Sequence, residues 1–409
     1  MKKVRYLAPD TDAFVASVQK HSKEFEDQSG IKIEFEIIES DPYYDNQISK
    51  QLNDSDPADV FMSGPVLLWE HLENGNVQNL DEFVSSSSDE WNFSDFFPSL
   101  ISSNRWTGKF GDHLGSGPLL EIPVNCESYN LAFIRSTIRD LGVTPPKTWD
   151  EFFVASEELA KKSAGSVAGF AQRGIHIWHT MYTGFATQLW SYGGSDFDSN
   201  FKCNIHTGES LKATEDFIAA LHKAGPKDWT NQRWYELAMD FANGKYGFIV
   251  DSDHYVAYFE DPKMSSNVGG IEYMLPPIGP SGMRKPNLWT WSLVMNAKSQ
   301  RKDNAWQFIE WASSKSFLTR AAIEGNMNPT RRSIWDSEDF KAIAKNWGNF
   351  AAVSRELIET HAKVLVTPAV NYKQVATVWV EALLDAYKGK DSAKNLLSEA
   401  AKRMDQLVR

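Results

Sequence analysis

The chain has 409 residues, 42% of them hydrophobic and 23% charged, with a formal net charge of −12. That length exceeds one ordinary hydrophobic core and suits two domains, while no apolar run reaches the roughly 18 residues a membrane span needs. An acidic chain with no clustered Lys and Arg is a poor ligand for nucleic acid or for anionic membrane surfaces, because phosphate contacts need grouped positive charge.

Taken in chain order, Val4–Ala8 reads as a strand followed by the turn Pro9-Asp10-Thr11-Asp12. Phe14, Val18 and Phe25 fall at helical spacing, and Gly30 marks the helix stop. Ile31, Ile33, Phe35 and Ile37 alternate as a second strand. A helix is expected over Tyr44–Leu52, a short strand at Val60-Phe61-Met62, and a helix over Pro65–Glu73 after the turn Ser63-Gly64. Strand, helix, strand, helix, strand in this order implies parallel strands with helical crossovers. Ser85 to Ser88 is read as a surface loop. Thr148-Trp149-Asp150-Glu151 has capping-box spacing and opens a helix to about Lys162. Tyr246–Val250 is a continuous apolar run, as in a buried strand. Pro276-Pro277 and Pro280 mark an extended segment, Asp303 is a candidate helix cap, and from Ser337 the chain reads as helical, with a break at Pro368 and a stop at Gly389.

The residues that could carry chemistry are few. No phosphate-binding loop, dinucleotide fingerprint or nucleophile elbow is present. Cys126 and Cys203 lack zinc spacing and read as two buried thiols or a single bridge. His176 and His179, three apart, would share a helix face, but no third ligand stands nearby, so no metal and no cofactor is expected. Asp251 and Asp253 follow the Tyr246–Val250 strand two apart. They fit three readings: a catalytic carboxylate pair, acceptors for ligand hydroxyls, or a strand-end turn. Aromatic residues make up 13% of the chain, with 15 Trp. Trp289 and Trp291 share one face at strand spacing beside Asn287 and Thr290, which suits either core packing or a flat platform for the C–H face of a sugar ring. Trp69 and Trp178 carry the same two readings.

Several segments, in order, resemble the extracellular solute-binding protein family 1, the sugar-binding receptors of bacterial ABC importers. They are Phe25-Glu26 through Gly30-Ile31-Lys32-Ile33; Pro57-Ala58-Asp59-Val60-Phe61; Ile122-Pro123-Val124-Asn125 leading to Tyr129-Asn130; and Pro145-Pro146-Lys147-Thr148-Trp149-Asp150-Glu151-Phe152. Phe241-Ala242-Asn243-Gly244-Lys245, Ala305-Trp306-Gln307-Phe308-Ile309 and Gly325 with Asn328-Pro329-Thr330-Arg331 continue the series. Two departures stand out: the crossing strand carries Cys126, and Trp289 occupies a position where many members have glycine.

The resemblance implies an α/β, two-lobed periplasmic-binding-protein fold of type II-like architecture with three crossing hinge segments. Lobe one would hold 1–124 and 273–327, and lobe two 125–272 and 328–409. It implies a non-enzymatic receptor that closes on a carbohydrate, an oligosaccharide being the expected form, and delivers it to the membrane permease of the importer as a monomer. The alternatives are a non-sugar solute such as a polyamine or glycerol phosphate, and a glycan-active enzyme with Asp251, Asp253 and Glu121 as its carboxylates. Met1-Lys2-Lys3 runs straight into a strand, which fits either a cytosolic protein or one whose leader has been removed; the resemblance implies the second, a periplasmic protein or cell-surface lipoprotein. Carried over residue by residue, the expected ligand-binding positions are Asp10, Asp12, Tyr43, Ser63, Gly64, Trp69 and Glu121 from the first lobe's loops. Trp178, Asp251, Asp253 and His254 follow from the second, then Trp289, Trp291, Arg331 and Tyr372.

Overall fold

The computed structural model describes residues 2–10, 12–40, 43 and 49–408. β1 (Lys2–Pro9), the helix Ala13–Ser29 and β2 (Ile31–Ile38) make the first crossover, with β1 and β2 parallel from Lys2↔Ile31 to Pro9↔Ile38. Local chemistry sets both ends of that helix. The Asp12 carboxylate accepts from the Phe14 and Val15 amides, and Gly30, at φ +70°, donates its amide to the Glu26 carbonyl. Phe14, Val18 and Phe25 are buried on one face, and Phe25 meets Phe308 at 5.8 Å between ring centroids. Burying each such ring contributes roughly 1.5–3 kcal/mol.

β3 (Val60–Ser63) pairs β1 in parallel and β8 (Leu288–Met295) antiparallel, with Ser63 opposite Ser292. The strand order therefore runs β2-β1-β3-β8 and on to β4 (Ile122–Ile134). The later part of β4 pairs antiparallel with β6 (Tyr246–Ser252) and with β7 (Ile271–Met274), and β5 (Ala168–Ala171) lies parallel to β6. Here too a short-range signal anchors the packing. Thr148 and Glu151 form the reciprocal capping box that opens the helix Trp149–Lys162. That helix places Phe152 5.4 Å from Phe170 of β5 and 5.8 Å from Phe248 of β6.

The chain divides into two compact units. Unit one takes the chain to Glu127, Trp289–Ile343 and Pro368–Val370; unit two takes Ser128–Leu288, Ala344–Thr367 and the chain from Asn371. The second changeover falls at Leu288/Trp289, after the proline segment Pro276–Pro280, and the third at Ile343/Ala344.

Two local expectations are corrected. Ser85 and Ser86 end the helix Asp81–Ser86 instead of lying in a loop: their hydroxyls donate back to the Asp81 and Phe83 carbonyls, which lets serine sit in the last helical turn. Asp303 lies inside the first turn of Lys302–Ala312, whose cap position is Arg301; its carboxylate serves the positive end of the helix dipole there. The helix expected over Tyr44–Leu52 is described only at Ser49–Leu52, and its first five residues lie outside the described residues, as does Thr11 of the first turn.

Candidate functional site

In unit one, topology gathers candidates at one edge of the sheet. β1 and β3 are parallel, so Asp10 and Gly64 both follow carboxyl ends, and antiparallel β8 begins at that same edge, with Trp289 its second residue. Open α/β sheets bind ligands outside the carboxyl ends of their strands. Gly64 is glycine for a steric reason: a Cβ there would sit 2.5 Å from the Trp289 ring and 2.7 Å from the Thr290 carbonyl. Trp289 is 6% exposed and meets Trp291 edge-on at 5.3 Å, while the Trp291 indole N–H donates to Glu127 Oε1 at 2.8 Å. Glu127, the last residue of unit one before the first changeover, had no local signal in the sequence.

The other unit-one candidates face the scaffold to different degrees. Asp10 is exposed and accepts from the Ser40 amide and hydroxyl, both at 3.0 Å. Asp12 is the helix cap already described. The buried Tyr43 hydroxyl donates to the Leu7 and Met62 carbonyls, tying β1 to β3, and burial pushes its pKa well up. Ser63 and Trp69 are fully buried, Trp69 lying 5.6 Å from Trp106. Glu121 is fully buried; burial lifts its carboxyl well above the usual range, against the opposing hydrogen bond from Ser292. Arg331 is fully buried, its Nε donating to the Ser313 carbonyl and Nη1 to the Asn92 carbonyl, both at 2.8 Å, with the guanidinium 4.0 Å from the Phe96 ring centre.

In unit two, the end of β6 carries Asp251, Asp253 and His254. Asp253 is buried and accepts from the Ser128 amide at 2.8 Å and the Ser128 hydroxyl at 2.5 Å; His254 is half-buried, its amide bonded to Ser252 Oγ. Asp251 meets a residue that the sequence reading missed. The parallel register Ala171↔Ile249 carries forward to set Arg173 beside Asp251, and the two form a bidentate ion pair at 2.9 and 2.6 Å. Burial works against the Arg173 charge, but Asp251 holds the guanidinium well above its ordinary value.

Trp178 opens a short helical turn, 6% exposed and edge-on to His179 at 5.5 Å. Burial, then the charges of Arg173, Arg233 and Lys373, push the His179 imidazole down to about 3, so it is neutral at physiological pH. Tyr372 is buried at the start of Tyr372–Tyr387, close to Asp196. Cys126 and Cys203 are both buried and form no disulfide, and among the described residues no group of three His, Cys, Asp or Glu could hold a metal ion.

Comparison with known proteins places this geometry in context. The family described as bacterial extracellular solute-binding protein matches residues 8–316. The chain is 30% identical over 393 residues to the erythritol/L-threitol-binding protein of Mycolicibacterium smegmatis, covering 94% of this chain and 82% of that one. A crystal structure of an ABC transporter solute-binding protein from Agrobacterium radiobacter K84 in complex with ribitol aligns with a TM-score of 0.85 at 18% identity, covering 99% of this chain and 98% of that one. Maltose-bound MalE3 of T. maritima aligns at 0.84 with 20% identity over the full length of both chains. These structural likenesses establish a periplasmic solute-binding protein fold.

Proposed function

The chain belongs to the bacterial extracellular solute-binding protein family, and from that premise we propose that it captures a polyhydroxylated solute and delivers it to the permease of an ABC importer. One observation carries the reading: the near full-length relative at 30% identity that binds erythritol and L-threitol. Capture is a population shift, driven by the ligand's better contacts in the bound conformation. The protein turns nothing over; its carboxylates bind and position.

Within the carbohydrate class we favour a small acyclic sugar alcohol over an oligosaccharide. Trp69, Trp178 and Trp289 are each no more than 6% exposed, and of the four candidate rings only Trp291 is half-exposed. Long saccharides are held by broad open aromatic surfaces, whereas a tetritol or pentitol needs mainly hydrogen-bonding groups. We place the protein outside the cytoplasm, in the periplasm or on the cell surface, acting as a monomer with the permease as its partner. No helix among the described residues is long and apolar enough to cross a membrane.

The test is a thermal-shift panel with erythritol, ribitol, mannitol and maltose against spermidine and glycerol phosphate. A ligand at one hundred times its Kd adds about 2.7 kcal/mol to stability. Stabilisation by the neutral polyols supports the reading. A response confined to the polyamine or the phosphate overturns it, and release of a product from any labelled saccharide overturns the claim of binding without turnover.

A further inference from the structure

Arg173 is held in a way that a purely structural arginine is not. Its Nε donates to Asp251 Oδ2 and its Nη2 to Oδ1, so the side edge of the guanidinium is consumed. Asp251 is itself committed, since Oδ1 also accepts the Ser252 amide at 2.7 Å and its side chain is 1% exposed. The Tyr255 ring lies under the guanidinium, 5.6 Å from its centre, and the Trp229 indole N–H pins the Arg173 carbonyl at 2.9 Å. Backbone, rotamer and plane are therefore fixed. The end edge remains: Nη1 makes no hydrogen bond within the described residues, and the Arg173 side chain keeps 10% of its surface exposed. A guanidinium has five N–H donors, of which Asp251 takes two. An end edge presents two parallel donors at a spacing comparable to that of adjacent hydroxyl oxygens.

The charge of the pair matters as much as its shape. A lone arginine selects carboxylate or phosphate. Asp251 neutralises this one at contact distance, so a second anion brought to the end edge would have to be desolvated beside an existing carboxylate. A neutral hydroxyl oxygen meets no such opposition. The neighbouring His179 adds no positive charge, being neutral.

Building on the polyol reading above, we propose that Arg173 is a specificity-determining residue whose end edge donates to two adjacent hydroxyls of a neutral polyol, and that Asp251 is a positioning residue that also sets the site against anionic analogues. The ligand class is thereby narrowed to uncharged vicinal diols. Removing the Asp251 charge would release Arg173 to act with the positive field that Arg233 and Lys373 exert at His179.

The test is isothermal titration of wild type, Arg173→Gln, Arg173→Lys and Asp251→Asn with erythritol, ribitol, mannitol and erythronate, the carboxylate made by oxidising one end of erythritol. Circular dichroism confirms the fold of each variant. Wild type is expected to bind a neutral polyol and reject erythronate. Arg173→Gln should lose roughly 10- to 100-fold in affinity, and Arg173→Lys a similar amount, because lysine keeps the charge but not the fork. Asp251→Asn should shift the polyol-to-erythronate preference at least about tenfold toward the acid. Wild-type affinity in Arg173→Lys, or an unchanged preference in Asp251→Asn, overturns this inference while leaving the polyol reading intact. Wild type that binds no polyol overturns both. Should Arg173→Gln fail to fold, Arg173→Lys and Asp251→Asn decide the matter.

Discussion

Among the described residues each unit buries one arginine, and the two are used in opposite ways. In unit one, Arg331 is sealed: Nε and Nη1 end on backbone carbonyls, Phe96 covers one face, and the Asp95 carboxylate stands off at 3.7 Å. Burial, only partly offset by Asp95, lowers its pKa to about 10. In unit two, Arg173 has a carboxylate at full bidentate contact, its pKa is held up, and one edge stays open. A cation fixed by carbonyls and rings rivets a fold; a cation fixed by a carboxylate along one edge is a preset donor on the other. We therefore assign Arg331 to the scaffold of unit one and Arg173 to recognition.

The largest expected effect would break that contrast. Arg331→Ala strips two buried carbonyls of their donor and leaves a hole against Phe96 and Trp91, which should cost on the order of 3–5 kcal/mol of unfolding free energy. Polyol affinity of the folded fraction should be unchanged. Arg173→Gln should show the reverse pattern, a binding loss larger than its stability loss. Chemical denaturation paired with titration calorimetry reads both. An Arg331→Ala protein as stable as wild type would remove the distinction.

Carboxylates sharpen the same point. Asp251 has its guanidinium, whereas buried Asp196 is held by the Thr367 amide and hydroxyl at 2.8 and 2.7 Å and by the Phe197 amide at 2.9 Å, with Tyr372 and Cys203 close by and Asp405 beyond Cys203. Burial outweighs these hydrogen bonds and raises Asp196 from 3.8 to about 6. A carboxyl raised in the folded state keeps its proton where the unfolded chain has lost it, so this group's contribution falls as pH rises from about 4 to about 6 and is flat above. The penalty at neutral pH is on the order of 3 kcal/mol. Asp196→Asn should remove that slope, seen as a smaller fall in Tm between pH 4 and 7 than in wild type. Identical pH profiles for the two proteins would show that Asp196 ionises normally.

A smaller effect tests the packing at the unit-one edge. Gly64→Ala should cost about 1–3 kcal/mol by forcing Trp289 off its position, measurable as a lower denaturation midpoint. Wild-type stability would mean that the ring yields freely.

What was legible in the sequence was local. The Thr148–Glu151 box, the Gly30 stop and the strand–helix alternation are written within a few residues of where they act, and the series of family-like segments pointed to the fold. Ser85 misled because serine serves turns and helix ends alike, and only its bond to the Asp81 carbonyl distinguishes them. Asp251 was singled out from its place at a strand end, but its partner was not, because Arg173 reaches it through the register of β5 on β6. The approach of Gly64 to Trp289 likewise depends on β8 returning beside β3. Single-sequence periodicity says which face a residue takes and is silent on which strand lies alongside.

The smallest expected change concerns Glu121, a buried carboxyl of unit one whose proton affinity is raised by burial more than the Ser292 hydroxyl lowers it. Were it a ligand acceptor in its ionised form, Glu121→Gln would weaken polyol binding at every pH above its titration. As a carboxyl that holds its proton beyond the ordinary range, it resembles glutamine in shape and in having both a donor and an acceptor. The substitution should then change stability near pH 4.5 by less than about 1 kcal/mol. Above that pH the two proteins should part. The wild-type fold is penalised as the unfolded chain's glutamate ionises and the folded one does not, so its stability falls with rising pH, whereas Glu121→Gln lacks that slope. Thermal melts of both proteins from pH 4.5 upward test this directly. A variant that starts well below wild type and runs parallel to it would mean that Glu121 is charged in the fold, a buried carboxylate without the arginine that Asp251 has in Arg173.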